Sequence, residues 1–128
     1  MLRTAGAVIG GLLAWMVIIT LLNFALRIAM PGYHDAEPSF AFDLNMMIGR
    51  LTIATLTSLA AGAITRAIAP SSNAAPWIVG LVLLAMFLPV HIRIGARLPL
   101  WYHLYFLLTL APLVWAGARM GRRPLAPA

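Results

Sequence analysis

The sequence predicts an all-α integral membrane protein, with four transmembrane helices in an antiparallel up-down bundle that forms a single domain. Three observations carry that prediction. Of the 128 residues, 62% are hydrophobic and only 9% are charged. Stretches free of Asp, Glu and Arg recur at lengths that cross a hydrocarbon core of roughly 30 Å, given about 1.5 Å per helical residue. The arginines stand mainly at the edges of those stretches, where they act as topology signals and headgroup contacts.

The first span covers about residues 5–30 and stops at Pro31-Gly32, a strong breaker pair. Its apolar core exceeds the roughly 7–15 residues of a cleaved signal and no A-x-A site follows, so it reads as a retained span. Residues 33–42 form a polar loop holding Asp35 and Glu37, and Asp43 at its edge is placed to cap the second span, about 44–69. That span is interrupted only by Arg50. Pro70-Ser71-Ser72-Asn73 is a turn, and Pro76 suits the first turn of the third span, about 75–93. The short link to the fourth span, about 98–120, predicts a tight antiparallel hairpin. Pro89 and Pro112 each remove a backbone hydrogen bond inside a span. Residues 121–128 form a tail carrying Arg122 and Arg123.

Composition excludes several classes. A mean hydropathy of +0.94 is too high for a small soluble fold, much of whose surface stays exposed. A β-barrel would show alternation, whereas these runs are continuous. The net charge of +6 is scattered over span ends rather than gathered in an aromatic-interleaved stripe, which argues against nucleic acid. With no cysteine, disulfides and thiolate sites are absent. No Ser-His-Asp order, H-E-x-x-H or phosphate-binding glycine loop occurs, so the chain reads as non-enzymatic.

With an even number of spans, both termini share a side. Arg3, Arg66, Arg119, Arg122 and Arg123 lie on it with no acid, which places it in the cytoplasm of a bacterial inner membrane. Near that side, small residues repeat every fourth position: Gly6, Gly10 and Ala14 in the first span, Ala54, Ser58 and Gly62 in the second. Such faces let helix backbones approach closely, so these two spans are expected to cross there. Ala7 and Gly11 widen the first stripe.

The opposite half collects polar groups, which are costly at membrane depth and mark a site. The candidate ligand-binding residues are Asn23, Arg27, Asn45, Arg50, His91, Arg93, Tyr102 and His103. Together they are expected to line a cup that opens outward. Arg50 sits on the same helical face as Asp43, suggesting an ion pair or a side chain snorkelling to the interface. Trp101, Tyr102 and Tyr105 fit an interfacial aromatic belt, with Trp77 serving the other side. His91 and His103 fall at similar depth on adjacent helices, a pair that would suit haem iron or another metal. His34, Asp35 and Glu37 offer a second metal or proton site. No cofactor is predicted.

The function expected is that of an accessory subunit in a larger membrane complex, docked on other subunits or on itself, its outer pocket holding a lipid headgroup or a quinone-like ligand. The alternatives are a small oligomeric transporter or channel for an anionic solute, favoured by Arg27, Arg50, Arg93 and Arg97, and a bis-histidine haem or metal protein.

Overall fold

The computed structural model describes residues 2–120, and among these every regular element is helical. The α-helices are α1 (Leu2–Ala29), α2 (Tyr33–Ala36), α3 (Leu44–Ile68), α4 (Ala74–Ile94) and α5 (Leu100–Met120). Short 3-10 turns, Glu37–Ser39 and Gly95–Arg97, follow α2 and α4. α1, α3, α4 and α5 are each long and apolar enough to cross a membrane. The 121–128 tail lies outside the described residues.

Local chemistry sets the boundaries. α1 stops before Pro31, and Gly32 takes a positive φ of 80°, open to glycine at no steric cost, which turns the chain back. Asp43 caps α3 as its position predicts, accepting the Met46 amide at 2.8 Å. At α4 the Ser72 hydroxyl accepts the Ala75 amide at 3.1 Å, and Pro76 occupies the first turn. α4 and α5 continue through Pro89 and Pro112. The loop read as irregular after Pro31 instead contains α2 and its 3-10 turn, because Tyr33, Ala36 and Phe42 bury themselves against the long helices.

α3 packs on α1 and α5, and α4 packs on the same two helices, so the cyclic order is α1–α3–α5–α4. The chain thus crosses a diagonal between α3 and α4. α1 and α3 run in opposite senses: Trp15 meets Ser58, while Gly49 approaches Leu26 and Met30. α4 and α5 do likewise, pairing Gly80 with Ala111 and His91 with His103. α3 and α5 run in the same sense, from Arg50–Tyr102 to Gly62–Val114. The start of α1 and the end of α5 therefore lie at one end of the molecule, the terminal end, with α2 at the far end.

The terminal half is tightly packed, but partly through other residues than the repeat suggests. A methyl group on Gly62 would collide with the Val114 carbonyl, and one on Gly117 with the Leu59 carbonyl. The closest backbone approach is thus α3 on α5. In α1 the buried face is Ala7, Gly11 and Trp15, one position on from Gly6, Gly10 and Ala14; Gly6 has open space around it. The packed row is thus the Ala7 and Gly11 part of the expected stripe, extended by Trp15, while Gly10 faces Ile68 of α3 from its edge. Arg66, counted above as a topology signal, is 4% exposed and donates to the carbonyls of Pro70, Ser72 and Ala118. It ties the α3–α4 turn to the last turn of α5, whose carbonyls would otherwise lack donors.

Candidate functional site

A cavity of about 290 Å³ occupies the far half of the molecule, between all four long helices. Trp15, Phe87 and Phe106 form its apolar walls. Trp15 is fixed by an Nε1–H bond to Ser58 Oγ at 3.1 Å and by Phe87, whose ring centroid lies 4.9 Å away. Beyond Trp15 toward the terminal end the core is filled by Thr57, Ala61, Val79, Leu83 and Val114, all fully buried. The cavity is therefore blind at that end.

Arg50 stands at its head, about 9 Å along α3 from the helix start at about 1.5 Å per residue. Its Nε donates to Tyr102 Oη at 2.9 Å and its Nη1 to Tyr33 Oη at 2.8 Å. Tyr33 passes the bond on, donating to Asn23 Oδ1 at 2.5 Å. Phe42 lies under the guanidinium, with 4.6 Å between Cζ and the ring centroid, and stacks on Tyr33. Burial raises the Tyr33 phenol above its ordinary value of 10.0, although the Arg50 charge and hydrogen bond oppose this. The hydroxyl thus stays protonated and able to donate.

Arg50 does not pair with Asp43, whose carboxylate is the cap of α3. Glu37 is held by Arg27, with Nε–Oε1 at 2.6 Å and Nη2–Oε2 at 2.9 Å. Among the described residues no carboxylate pairs with Arg50. A guanidinium offers five N–H donors; here two hydrogen bonds, through Nε and Nη1, are made to protein, and both go to neutral phenols. Among the described residues Nη2 has no acceptor, on a side chain that lines the cavity.

His91 lines the same cavity, stacked on Phe106 at 4.6 Å and on Tyr102 at 6.1 Å. Its Nδ1 lies 2.7 Å from His103 Nδ1, and His103 Nε2 lies 3.2 Å from the Gly95 carbonyl. Both Nδ1 atoms are thus engaged with each other. Tetrahedral ligation at about 2.0–2.1 Å per bond would hold the two nitrogens more than 3 Å apart.

Of the residues singled out from sequence, Asn23, Arg50, His91 and Tyr102 line the cavity, and His103 stands directly behind His91. Arg27 lies outside it in its ion pair, and Asn45 and Arg93 are exposed on the molecular surface. His34 reaches Glu37 at 3.6 Å, but no group of three metal-ligating side chains exists among the described residues. Sequence reasoning missed Tyr33, Phe40 and Phe42, which lie at or beside the site; three aromatics within a polar loop were the available signal.

The cup does not open straight outward. Tyr33 and Phe42 are buried over Arg50 and close that end. The exposed lining residues are Met16, Thr20 and Val90, with Met16 and Val90 each 42% exposed, and they belong to α1 and α4. Ile53 and Ala54 from α3 and Tyr102 and Phe106 from α5 are buried and form the back wall. The mouth is lateral, between α1 and α4, past their contact at Trp15 and Phe87.

Compared with known protein families, with curated proteins and with solved structures, the chain matches none.

Proposed function

We propose that this is a multi-pass membrane protein whose four long helices cross the bilayer in alternating directions, with α3 and α5 as parallel neighbours, and that it holds the polar head of a lipid-soluble ligand in its far-half cavity. One observation carries this reading: Arg50, a half-buried cation with no carboxylate partner among the described residues, presents unused donors to a blind cavity whose mouth lies between two apolar helices. A cation at the centre of a span costs about 2.5–3.5 kcal/mol on insertion scales, and one less than two turns in costs a part of that. Two phenols supply dipoles but no charge. An acceptor oxygen of a lipid headgroup or a quinone-like ring completes the coordination.

The lateral mouth favours entry from the acyl region over entry from water. The filled core beyond Trp15 speaks against a through-going pathway in one bundle, and so against the anion channel. No carboxylate and no nucleophile–base pair lines the cavity, in keeping with a non-enzymatic role. The protein acts as a small accessory subunit of a larger complex in the bacterial inner membrane; α1 and α4 leave broad apolar faces for lipid and partner helices. The arginines at the terminal end place both termini in the cytoplasm.

The test is mass spectrometry of lipids and lipid-soluble cofactors extracted from protein purified in mild detergent, comparing wild type with Arg50→Gln. A species retained near one per chain by wild type and reduced about tenfold or more by the substitution is the expected result. Equal retention by a variant that elutes as wild type does would overturn the reading.

A further inference from the structure

The His91–His103 pair has a fixed direction. His103 Nε2 faces the Gly95 carbonyl, which only accepts, so this nitrogen carries the hydrogen. With both rings neutral, His103 Nδ1 is then a bare acceptor. The 2.7 Å contact between the two Nδ1 atoms therefore requires the hydrogen to sit on His91 Nδ1. His91 Nε2 is left as a lone-pair acceptor, without a protein partner, on a ring that lines the cavity. The opposite tautomer of His91 would set two lone pairs against each other at that distance.

Deep in the site the other polar groups with capacity to spare offer donors, while Thr20, at the exposed mouth, spends its hydrogen on the Met16 carbonyl. Arg50 Nη2 carries two N–H groups. Tyr102 Oη accepts from Arg50 and keeps its own hydrogen. The Asn23 carbonyl oxygen is taken by Tyr33, leaving its amide hydrogens. Around them stand flat aromatic faces: Phe87 and Phe106 at 5.3 Å, edge to face, and His91 stacked on Phe106.

Resting on the reading that the cavity takes a lipid-soluble ligand, we propose that His103 positions His91 as an acceptor deep in the cavity, facing donors, so that the site selects a phenolic lipid. One hydroxyl of its ring donates to His91 Nε2, and a second ring oxygen accepts from Arg50. A fully ionised phosphate head has only acceptor oxygens, and one of them would face the His91 lone pair. His103 is a positioning residue here; His91 is the group that touches the ligand.

The test measures binding to full-length protein in nanodiscs, under anaerobic reducing conditions, of three probes: decylhydroquinone, its dimethyl ether and dioctanoyl phosphatidic acid. The wild type should favour the hydroquinone over the ether by about tenfold, the worth of one hydrogen bond to a buried acceptor. His103→Phe, which keeps a ring but loses the Nδ1 acceptor, should reduce that preference below about threefold. Arg50→Gln should weaken both ring probes together and leave their ratio near the wild-type value. Equal binding of the hydroquinone and its ether, a preference for phosphatidic acid, or an unchanged ratio in His103→Phe overturns the selection while leaving a ligand site intact. Failure of all three probes to bind the wild type overturns the lipid-soluble-ligand reading as well. Nitrogen-15 NMR of the wild type tests the mechanism without any substitution. His91 should carry its hydrogen on Nδ1 and His103 on Nε2, and the reverse assignment sinks the proposal.

Discussion

Arg27 and Arg50 show how far the same residue type diverges within one molecule. Arg27 is exposed and meets Glu37 in a two-pronged contact that pins the α2 segment to the end of α1. Arg50 is enclosed by phenols and a phenyl ring and meets no acid. The Arg27 hydrogen bond is the largest influence on Glu37 and holds its carboxyl below the ordinary 4.5, against a smaller opposing effect of burial. A depressed acid contributes stability above its unfolded value and loses it as pH falls through the folded one. The α2 segment should therefore loosen as pH drops below about 4.5. Hydrogen exchange at Tyr33–Ala36 should rise over that range in wild type, beyond the intrinsic rate change, and lose its pH dependence in Glu37→Gln. A protection profile flat with pH in wild type would contradict the latch. Because Tyr33 lies on this segment and bonds Arg50, the latch also bears on the site.

At the scale of elements, the pairing of α3 with α5 depends on two glycines that face carbonyls on the opposite helix. Gly62 meets Val114 and Gly117 meets Leu59, with no space for even one methyl group. Overpacking of this kind costs about 1–3 kcal/mol when the backbone can shift, and more when it cannot. Gly62→Leu is thus expected to lower stability by at least about 3 kcal/mol, measured by unfolding in mixed detergent micelles. Gly6→Leu, on open space, should lie within about 0.5 kcal/mol of wild type. Similar losses for both would mean that α3 and α5 are not held by close backbone contact. The same contact has a consequence for the site, since Arg50 on α3 and Tyr102 on α5 keep their 2.9 Å bond only if the helices hold their register.

For the whole molecule, the order α1–α3–α5–α4 places the least intimate pair of neighbours, α1 and α4, on one side. Helices that meet at Gly11–Val79 and Trp15–Phe87 leave a gap beyond, and the cavity fills it. An up-down bundle with both termini inside requires the α2 loop and the α4–α5 link to share the external face, and the α3–α4 turn to face the cytoplasm. The absence of native cysteine makes this directly measurable. In intact cells an impermeant thiol reagent should label Asp35→Cys and leave Ser71→Cys unlabelled until the membrane is broken. Labelling of Ser71→Cys alone would invert the orientation, and labelling of both would exclude a single fixed topology.

Sequence alone determined the four long helices. Charge-free length, Pro31-Gly32, Asp43 and the Ser72 turn are local properties, and each acts within a few residues of where it is written. It also found Asn23, Arg50, His91, Tyr102 and His103, because a polar group in an apolar run is conspicuous at any position. Tertiary structure decided what those groups meet. The phenols that hold Arg50 are 17 and 52 residues away in the chain, and the row of α1 that packs is the one in which Gly11 closes on Thr65 and Trp15 reaches Ser58. Helical periodicity assigns a residue to a face but leaves open which helix covers it. That choice, made by side-chain volume across a diagonal chain crossing, turned a cup facing outward into a pocket entered from the side.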